Sequence, residues 1–547
     1  ADVLAQMPAV QQDNYNNLIS DLSKTGDEGI QMLVTRLASS AEERNAQVEY
    51  AISGLTNYAS EQGRDALRQS VAQSYCKAIA SLSANFPKEY KDGDKAPANT
   101  YTCSFLIKQL QNLGGDESVP TLTNCLNTQV LVGPAARALA RINTAKAKEV
   151  LVNALKQDKT QKDLVKAIAE TGASDAEQTL IQMLGSNDEF MQKEVLYALS
   201  RVGSNASMPA LAAAAKAANY TFDKSGANEA YIALLKRIAE KGDAKSAYAA
   251  AAQLQIDAAK AGMLQTREAA LQIMMMSSSK DAAGKLAIAA MKDNNIQYRN
   301  AALRYASDFA DQAFYTEIAK TMLKAKPASK TDIINWLGRE SVQPAHHDML
   351  KNLDIRFDLP LRQALLKQLK GKDFGVKTAA VWALVKMGDT QVIPSIAQLL
   401  TSKDGATIAL GKNALAAFKG DIDVEVAKTL KLATDSGKIA GLDLLALRMA
   451  DANLNNVIEQ TKATSPAVKA AAYKTLKSVV TEKNFTLMCG MLETADASAV
   501  APLQEAVSAT LSQKPLAARS AAVHSRMLQA GPKAYLYTPV LASTSAM

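Results

Sequence analysis

Three histidines, His346, His347 and His524, are the side chains best suited to proton transfer near neutral pH. His346-His347-Asp348 is the one run with the composition of a metal site. Adjacent helical residues point about 100° apart, so two neighbouring imidazoles cannot share one ion. Zinc asks for ligands spaced i and i+4 on a helix, with further donors nearby. The pair is therefore expected in a turn or at the surface, and no metal ligand or cofactor site is assigned. His524, in AAVHSRM, is expected as a half-buried packing residue on a helix. The four cysteines, Cys76, Cys103, Cys125 and Cys489, form no CxxC pair, which removes zinc-ribbon and thioredoxin readings. Buried reduced thiols are expected, with a Cys103–Cys125 disulfide between neighbouring helices as the alternative. No GxSxG elbow and no glycine-rich phosphate loop occurs. Glu42-Glu43 reads as a solvent-facing pair, whereas catalytic carboxylates need a cleft that separates their pKa values. No catalytic residue is assigned.

Arginines offer a different chemistry. Arg137, Arg141, Arg201, Arg299 and Arg304 all fall on helical segments. On one inner surface they could grip an acidic partner by charge-assisted hydrogen bonds. The plainer reading is that they cap carbonyls or pair with acids. The 62 Lys and Arg against 54 Asp and Glu leave a net charge of +8. No basic run of five or six residues appears, and acids are interspersed throughout, which argues against a phosphate-binding stripe and hence against nucleic acid. Met274-Met275-Met276 has the plasticity of a partner groove, but core filling is the expectation. Trp336 and Trp382 are expected to pack between helices.

These residues must be positioned by helices. The 547-residue chain is 48% hydrophobic and 21% charged, with 5% aromatic residues, 26 Gly and 15 Pro. Low turn-residue and aromatic content argues against short strands, and the abundance of Ala, Leu, Lys and Gln favours helix. Internal repetition is the dominant signal. In residues 372–400, Val376, Ala379, Ala380, Ala383 and Met387 fall at i, i+3, i+4, i+7 and i+11, one face of a helix. Gly388-Asp389 breaks it. Ile393, Ile396, Ala397 and Leu400 then line a second helix, with Pro394 in its first turn. The same grammar recurs at 132–155, 164–184, 193–214, 465–479 and 515–528. The turns at Asn143, Gly172 and Gly203 lie 29 and 31 residues apart. A unit is thus two short helices, and about 13–17 units fill the chain. Each pair is apolar on one face and can bury it only by stacking on the next. Abundant alanine allows close helix approach.

This pattern resembles HEAT repeats of the short bacterial kind found in phycobilisome-lyase-like proteins, carried best by 373–389 and 392–400. The resemblance implies an all-α, right-handed α-solenoid of HEAT-like helix pairs. Residues 1–101 read as an N-terminal helical region with a polar loop at 87–100, and 102–547 as the repeat solenoid. A smaller interruption, DKSGAN, occupies 223–228. No segment approaches 18 unbroken apolar residues, so no membrane span is expected.

The last residues, GPKAYLYTPVLASTSAM, place Tyr535, Leu536, Val540 and Leu541 on a helix with a buried face but no following partner, so the solenoid is expected to be incomplete at its C-terminus. The opening ADVLAQMPA, the stretches 105–110 and 114–117, and AYLYTPVLAS also resemble the N-terminal region of large secreted Bacteroidetes proteins. In those, HEAT repeats precede a 3-keto-disaccharide hydrolase domain. That resemblance implies an extracytoplasmic, periplasmic or secreted, chain with its signal peptide removed, and a saccharide-related context. It carries no catalytic residue onto this sequence. The function expected is a scaffold or protein-interaction module without chemistry of its own. The partner would be another protein or a missing C-terminal domain, with saccharide as a further ligand class. The alternatives are the non-catalytic region of a carbohydrate-processing enzyme and a nucleic-acid-binding HEAT protein.

Overall fold

A computed structural model describes the chain apart from residues 10, 40–44, 92, 186–187, 357 and 546–547. The Glu42-Glu43 pair lies outside the described residues. Helices follow one another along the whole length, and among the described residues the sole β-type feature is an isolated bridge between Asp354 and Pro360. The chain is an all-α solenoid of stacked helix pairs. It divides into two compact units, Ala1–Ser279 and Lys280–Met547. The Thr100–Leu113 helix packs on helices both before and after it.

Local chemistry sets the helix ends. The side chains of Asn45, Thr144, Asp188, Asp243, Asn295, Asp311, Asp373, Asp404 and Ser465 each accept a hydrogen bond from a backbone N–H in the first turn of the helix they precede. Such caps satisfy donors that have no partner within the helix. At the other end, Gly388 takes φ +68° and closes Phe374–Met387. Gly203 does its work differently. Its φ is −70°, but a Cβ there would sit 2.5 Å from the Leu199 carbonyl oxygen. The turn residue is glycine for space, not for a left-handed backbone.

In the first unit one row of helices runs Ala46–Ala59, Thr100–Leu113, Val132–Ile142, Lys162–Thr171, Glu189–Val202, Ala227–Glu240 and Leu264–Met276, each packed on the next. Gly26–Ala38, Asp65–Ser83, Val119–Cys125 and Ala145–Gln157 begin the second row. The second unit repeats the scheme with Ile296–Ala306, Pro327–Ser341, Phe374–Met387, Gly405–Ala417, Asp435–Leu447, Pro466–Val479 and Ala497–Thr510. The predicted faces of residues 372–400 are all buried, and so are Leu384 on the flank of the first face and Val381 farther round the helix. A helix inside a row is covered by a neighbour on each flank as well as by its own partner, so its apolar surface exceeds one stripe. Small residues set the spacing. A Cβ on Gly338 would lie 3.1 Å from Cα of Ala383, and one on Gly437 only 2.0 Å from the Leu400 carbonyl oxygen.

Several expectations are met or corrected in detail. Met274 and Met275 are core residues, while Met276 is exposed. Trp336 is fully buried against Phe314 and Tyr315 and donates to Ser307 Oγ at 2.9 Å; Trp382 is half-buried. At the C-terminus, Tyr537 rather than Tyr535 enters the core, with Leu536 and Val540. The tail is a 3-10 turn, Gly531–Tyr537, followed by a short helix, Thr538–Ala542, which changes the register of the buried face. This tail packs on the Ala497–Thr510 and Leu516–Ala530 helices that precede it. His524 is exposed, because Val523 is the buried contact of its helix.

Candidate functional site

The residues singled out from sequence separate into distinct roles. His346 packs edge-on against Tyr315 at 5.5 Å, and His347 Nδ1 lies 2.8 Å from the Ser341 carbonyl. Both are half-buried at the start of the His347–Lys351 turn of helix, and no metal-ligating cluster occurs among the described residues. All four cysteines are buried, and none is joined in a disulfide. Burial, reinforced by Cys76, pushes the Cys125 thiol up to about 12. A thiol held protonated is a poor nucleophile and a poor metal ligand.

Among the arginines, Arg201 donates through Nε to the Ala169 carbonyl at 2.8 Å, at the end of the preceding helix of its row. Arg237 does the same to Ser200 at 3.0 Å and to Gly203, and Arg448 to Leu415, Phe418 and Gly420. This is a repeated device in which an arginine late in one helix caps the orphan carbonyls of its neighbour. Arg299 is corrected most sharply. It is 3% exposed, pairs with Asp332 at 2.7 Å and donates to the Asp293 carbonyl at 2.9 Å. A guanidinium so engaged is closed to a partner. Arg304 is exposed beside the Tyr305 ring. Arg137 and Arg141 are exposed and make no hydrogen bond or ion pair with the described chain.

Arg137 also lines a cleft. The cleft, of about 670 Å³, is bounded by Ser53 from Ala46–Ala59, by Tyr101, Ser104, Phe105, Lys108, Gln109 and Gln111 from Thr100–Leu113, and by Pro134 and Arg137 from Val132–Ile142. Three consecutive helices of one row therefore build it. Tyr101, Phe105 and Lys108 fall at i, i+4 and i+7, which brings them to one face. The Tyr101 and Phe105 rings lie nearly parallel, with centroids 6.4 Å apart and planes 19° apart, and both are half-buried. The Tyr101 hydroxyl donates to the Glu49 carboxylate. Gln109 is only 8% exposed, yet its amide bonds to nothing in the described chain. Ser53, Ser104, Lys108 and Gln111 likewise have no partner.

Other depressions are arranged differently. One at 351–391 is centred on the Arg362–Asp389 ion pair, and one at 174–243 on Glu177, which accepts from Ser204 and Ser207 beside the capping Arg237. One at 280–317 holds the Lys285–Asp281 pair. Their central charged groups are satisfied from within. Sequence reading missed Tyr101, Phe105, Lys108 and Gln109 as a site. A signal was present, since Thr102, Leu106, Gln109 and Leu113 share one buried stripe, and an amide on an otherwise closed stripe is out of place.

Comparison with known proteins agrees with the fold. Residues 157–232 match the family model for HEAT repeats, and residues 376–402 match that for PBS lyase HEAT-like repeats. Those two segments carry repeats of the HEAT kind. No curated protein matches the chain. Among solved structures, yeast importin-beta (Kap95p) is similar over 97% of this chain and 79% of its own, at 12% identity and a TM-score of 0.40. Kap121p bound to RanGTP is similar over 99% and 67%, at 12% identity and a TM-score of 0.44. Likenesses this distant carry no role across to this chain. No helix among the described residues is long and apolar enough to cross a membrane.

Proposed function

We propose that this chain is an interaction scaffold, a HEAT-type helical stack that holds another protein, or a further domain of its own polypeptide, against its exposed row of helices. The observation that supports this is the Ser53–Arg137 cleft. Of its polar lining, Ser53, Ser104, Lys108, Gln109, Gln111 and Arg137 have no hydrogen-bond or ion-pair partner in the described chain, while the Tyr101 hydroxyl is held by Glu49. Buried polar groups in folded proteins are ordinarily hydrogen-bonded. The Gln109 side chain is largely covered, but its amide lines the cleft without a partner in the described chain, where a second molecule or water can bond it. Arg141, one turn beyond Arg137, extends the cationic edge. An extracytoplasmic address, implied by the resemblance of the chain's opening and closing phrases to secreted proteins, belongs to the same proposal and is tested by fractionating the source organism.

The scaffold reading is tested by lysine-directed cross-linking of the native protein in its source, followed by peptide mass spectrometry. Reproducible cross-links from Lys108 and neighbouring lysines of the row to one recurrent protein or domain are expected. Cross-links confined to the chain itself would overturn the reading.

A further inference from the structure

From the cleft's chemistry we infer the class of its occupant: an acidic peptide segment carrying an aromatic side chain. This rests on the interaction reading above and deepens it. The volume, about 670 Å³, lies within the roughly 300–1,000 Å³ of ligand clefts. Lys108 and Arg137 are the charged residues of the lining, both cations, and neither has an ion-pair partner. Each stands mid-helix, at a distance from the carbonyl ends that Arg201, Arg237 and Arg448 cap. Two acids stand at the margin. Glu49 takes the Tyr101 hydroxyl. Asp163 approaches Gly133, where a Cβ would lie 3.2 Å from its carboxylate and 3.4 Å from the Arg137 guanidinium, yet it forms no ion pair with Arg137.

The groups present match a peptide one by one. Carboxylates answer Lys108 and the guanidinium fork of Arg137 with charge-assisted hydrogen bonds. The Gln109 amide offers one donor group and one acceptor, the complement of a backbone peptide unit. The nearly parallel, half-buried Tyr101 and Phe105 rings offer apolar area and ring faces for an aromatic side chain. A neutral saccharide would use the rings and the amide but leave both cations unanswered. A basic peptide would meet like charge.

The test uses the full chain and a fluorescein-labelled pentapeptide, acetyl-Glu-Asp-Trp-Asp-Glu-amide, read by fluorescence anisotropy at low salt. Comparison ligands are the isosteric acetyl-Gln-Asn-Trp-Asn-Gln-amide and maltohexaose. The acidic peptide is expected to bind at least tenfold more tightly than either, and to weaken steeply with added salt. Arg137→Glu should weaken it at least tenfold and Gln109→Leu at least threefold. Arg339→Glu, at an exposed arginine of the other unit, should leave it unchanged. Gln109→Leu also separates a binding role from a structural one. It removes a cleft-lining amide that has no partner in the described chain, so the melting temperature should hold while binding falls. No binding at millimolar peptide, equal affinity for the neutral peptide, indifference to both cleft variants, or preference for maltohexaose would each overturn the inference. Native cross-links to a partner elsewhere on the row would leave the scaffold reading standing in any of those cases.

Discussion

At the scale of single residues, arginines on one kind of helix have three fates, and stability measurements separate them. Arg237 caps the Ser200 and Gly203 carbonyls, and bonds to a charged donor are worth about 1.5–3 kcal/mol. Arg237→Ala should therefore lower stability by about 2 kcal/mol, whereas Arg137→Ala should stay within about 0.5 kcal/mol, as unpaired surface residues do. Chemical denaturation of the two variants checks this. Arg299 belongs to the third class. Removing it strands Asp332, which is 5% exposed, as a buried uncompensated charge. Arg299→Ala should cost about 3–5 kcal/mol, and Arg299→Met with Asp332→Leu should recover most of it. Cys125 gives a pH signature. Its thiol is raised from 9.0 to about 12 by burial and by Cys76. Between those values the folded chain holds a proton that the unfolded chain has lost. The resulting contribution is full below pH 9 and is lost as pH rises through about 12. The melting-temperature gap between wild type and Cys125→Ala should narrow from pH 8 to pH 11. Native Cys125 should also resist thiol reagents at pH 8 until denaturant is added.

At the scale of the element, the decisive contacts are between backbones. Gly437 sits where a Cβ would lie 2.0 Å from the Leu400 carbonyl oxygen and 2.9 Å from Ala433 Cβ. A carbonyl held in a helical turn cannot swing aside as a long side chain can. Gly437→Ala should force the Asp435–Leu447 helix off its neighbour and cost about 3 kcal/mol. Asp373→Ala, by contrast, removes one cap from Phe374–Met387 and should cost about 1 kcal/mol. Paired thermal melts would reverse this ranking if the helix–helix contact were loose.

At the scale of the whole molecule, stacked repeats touch mainly their neighbours, so stability is close to a sum of local terms. The effect of Gly437→Ala should then fade with distance along the second unit. Hydrogen-exchange mass spectrometry should show faster exchange in the helices from Ile393–Ala397 to Pro466–Val479 and near-native exchange in Ile296–Ala306. Uniform acceleration across Lys280–Met547 would mean that the unit opens as one cooperative body.

Sequence alone determined the repeating helix pair. The i, i+3, i+4 recurrence of apolar residues, the Asp373 and Ser465 caps and the Gly388 stop are local properties, each acting within one or two helical turns. It also determined that Met274 and Trp336 would be spent on packing, because a stacked helix pair must bury its apolar face somewhere. What it could not determine is which of several similar residues ends beside which neighbour. Arg299 and Arg304 lie five positions apart on one helix, yet one is sealed against Asp332 and the other is open to solvent. Tyr535 and Tyr537 exchange roles because the tail enters as a 3-10 turn. The cleft depends still more on the tertiary structure. Ser53, Gln109 and Arg137 come from three successive helices of one row, separated in sequence by whole helices of the other row. Their meeting is fixed by how closely small residues let those helices approach, and by which polar groups each neighbour leaves unsatisfied. Periodicity within one helix records neither.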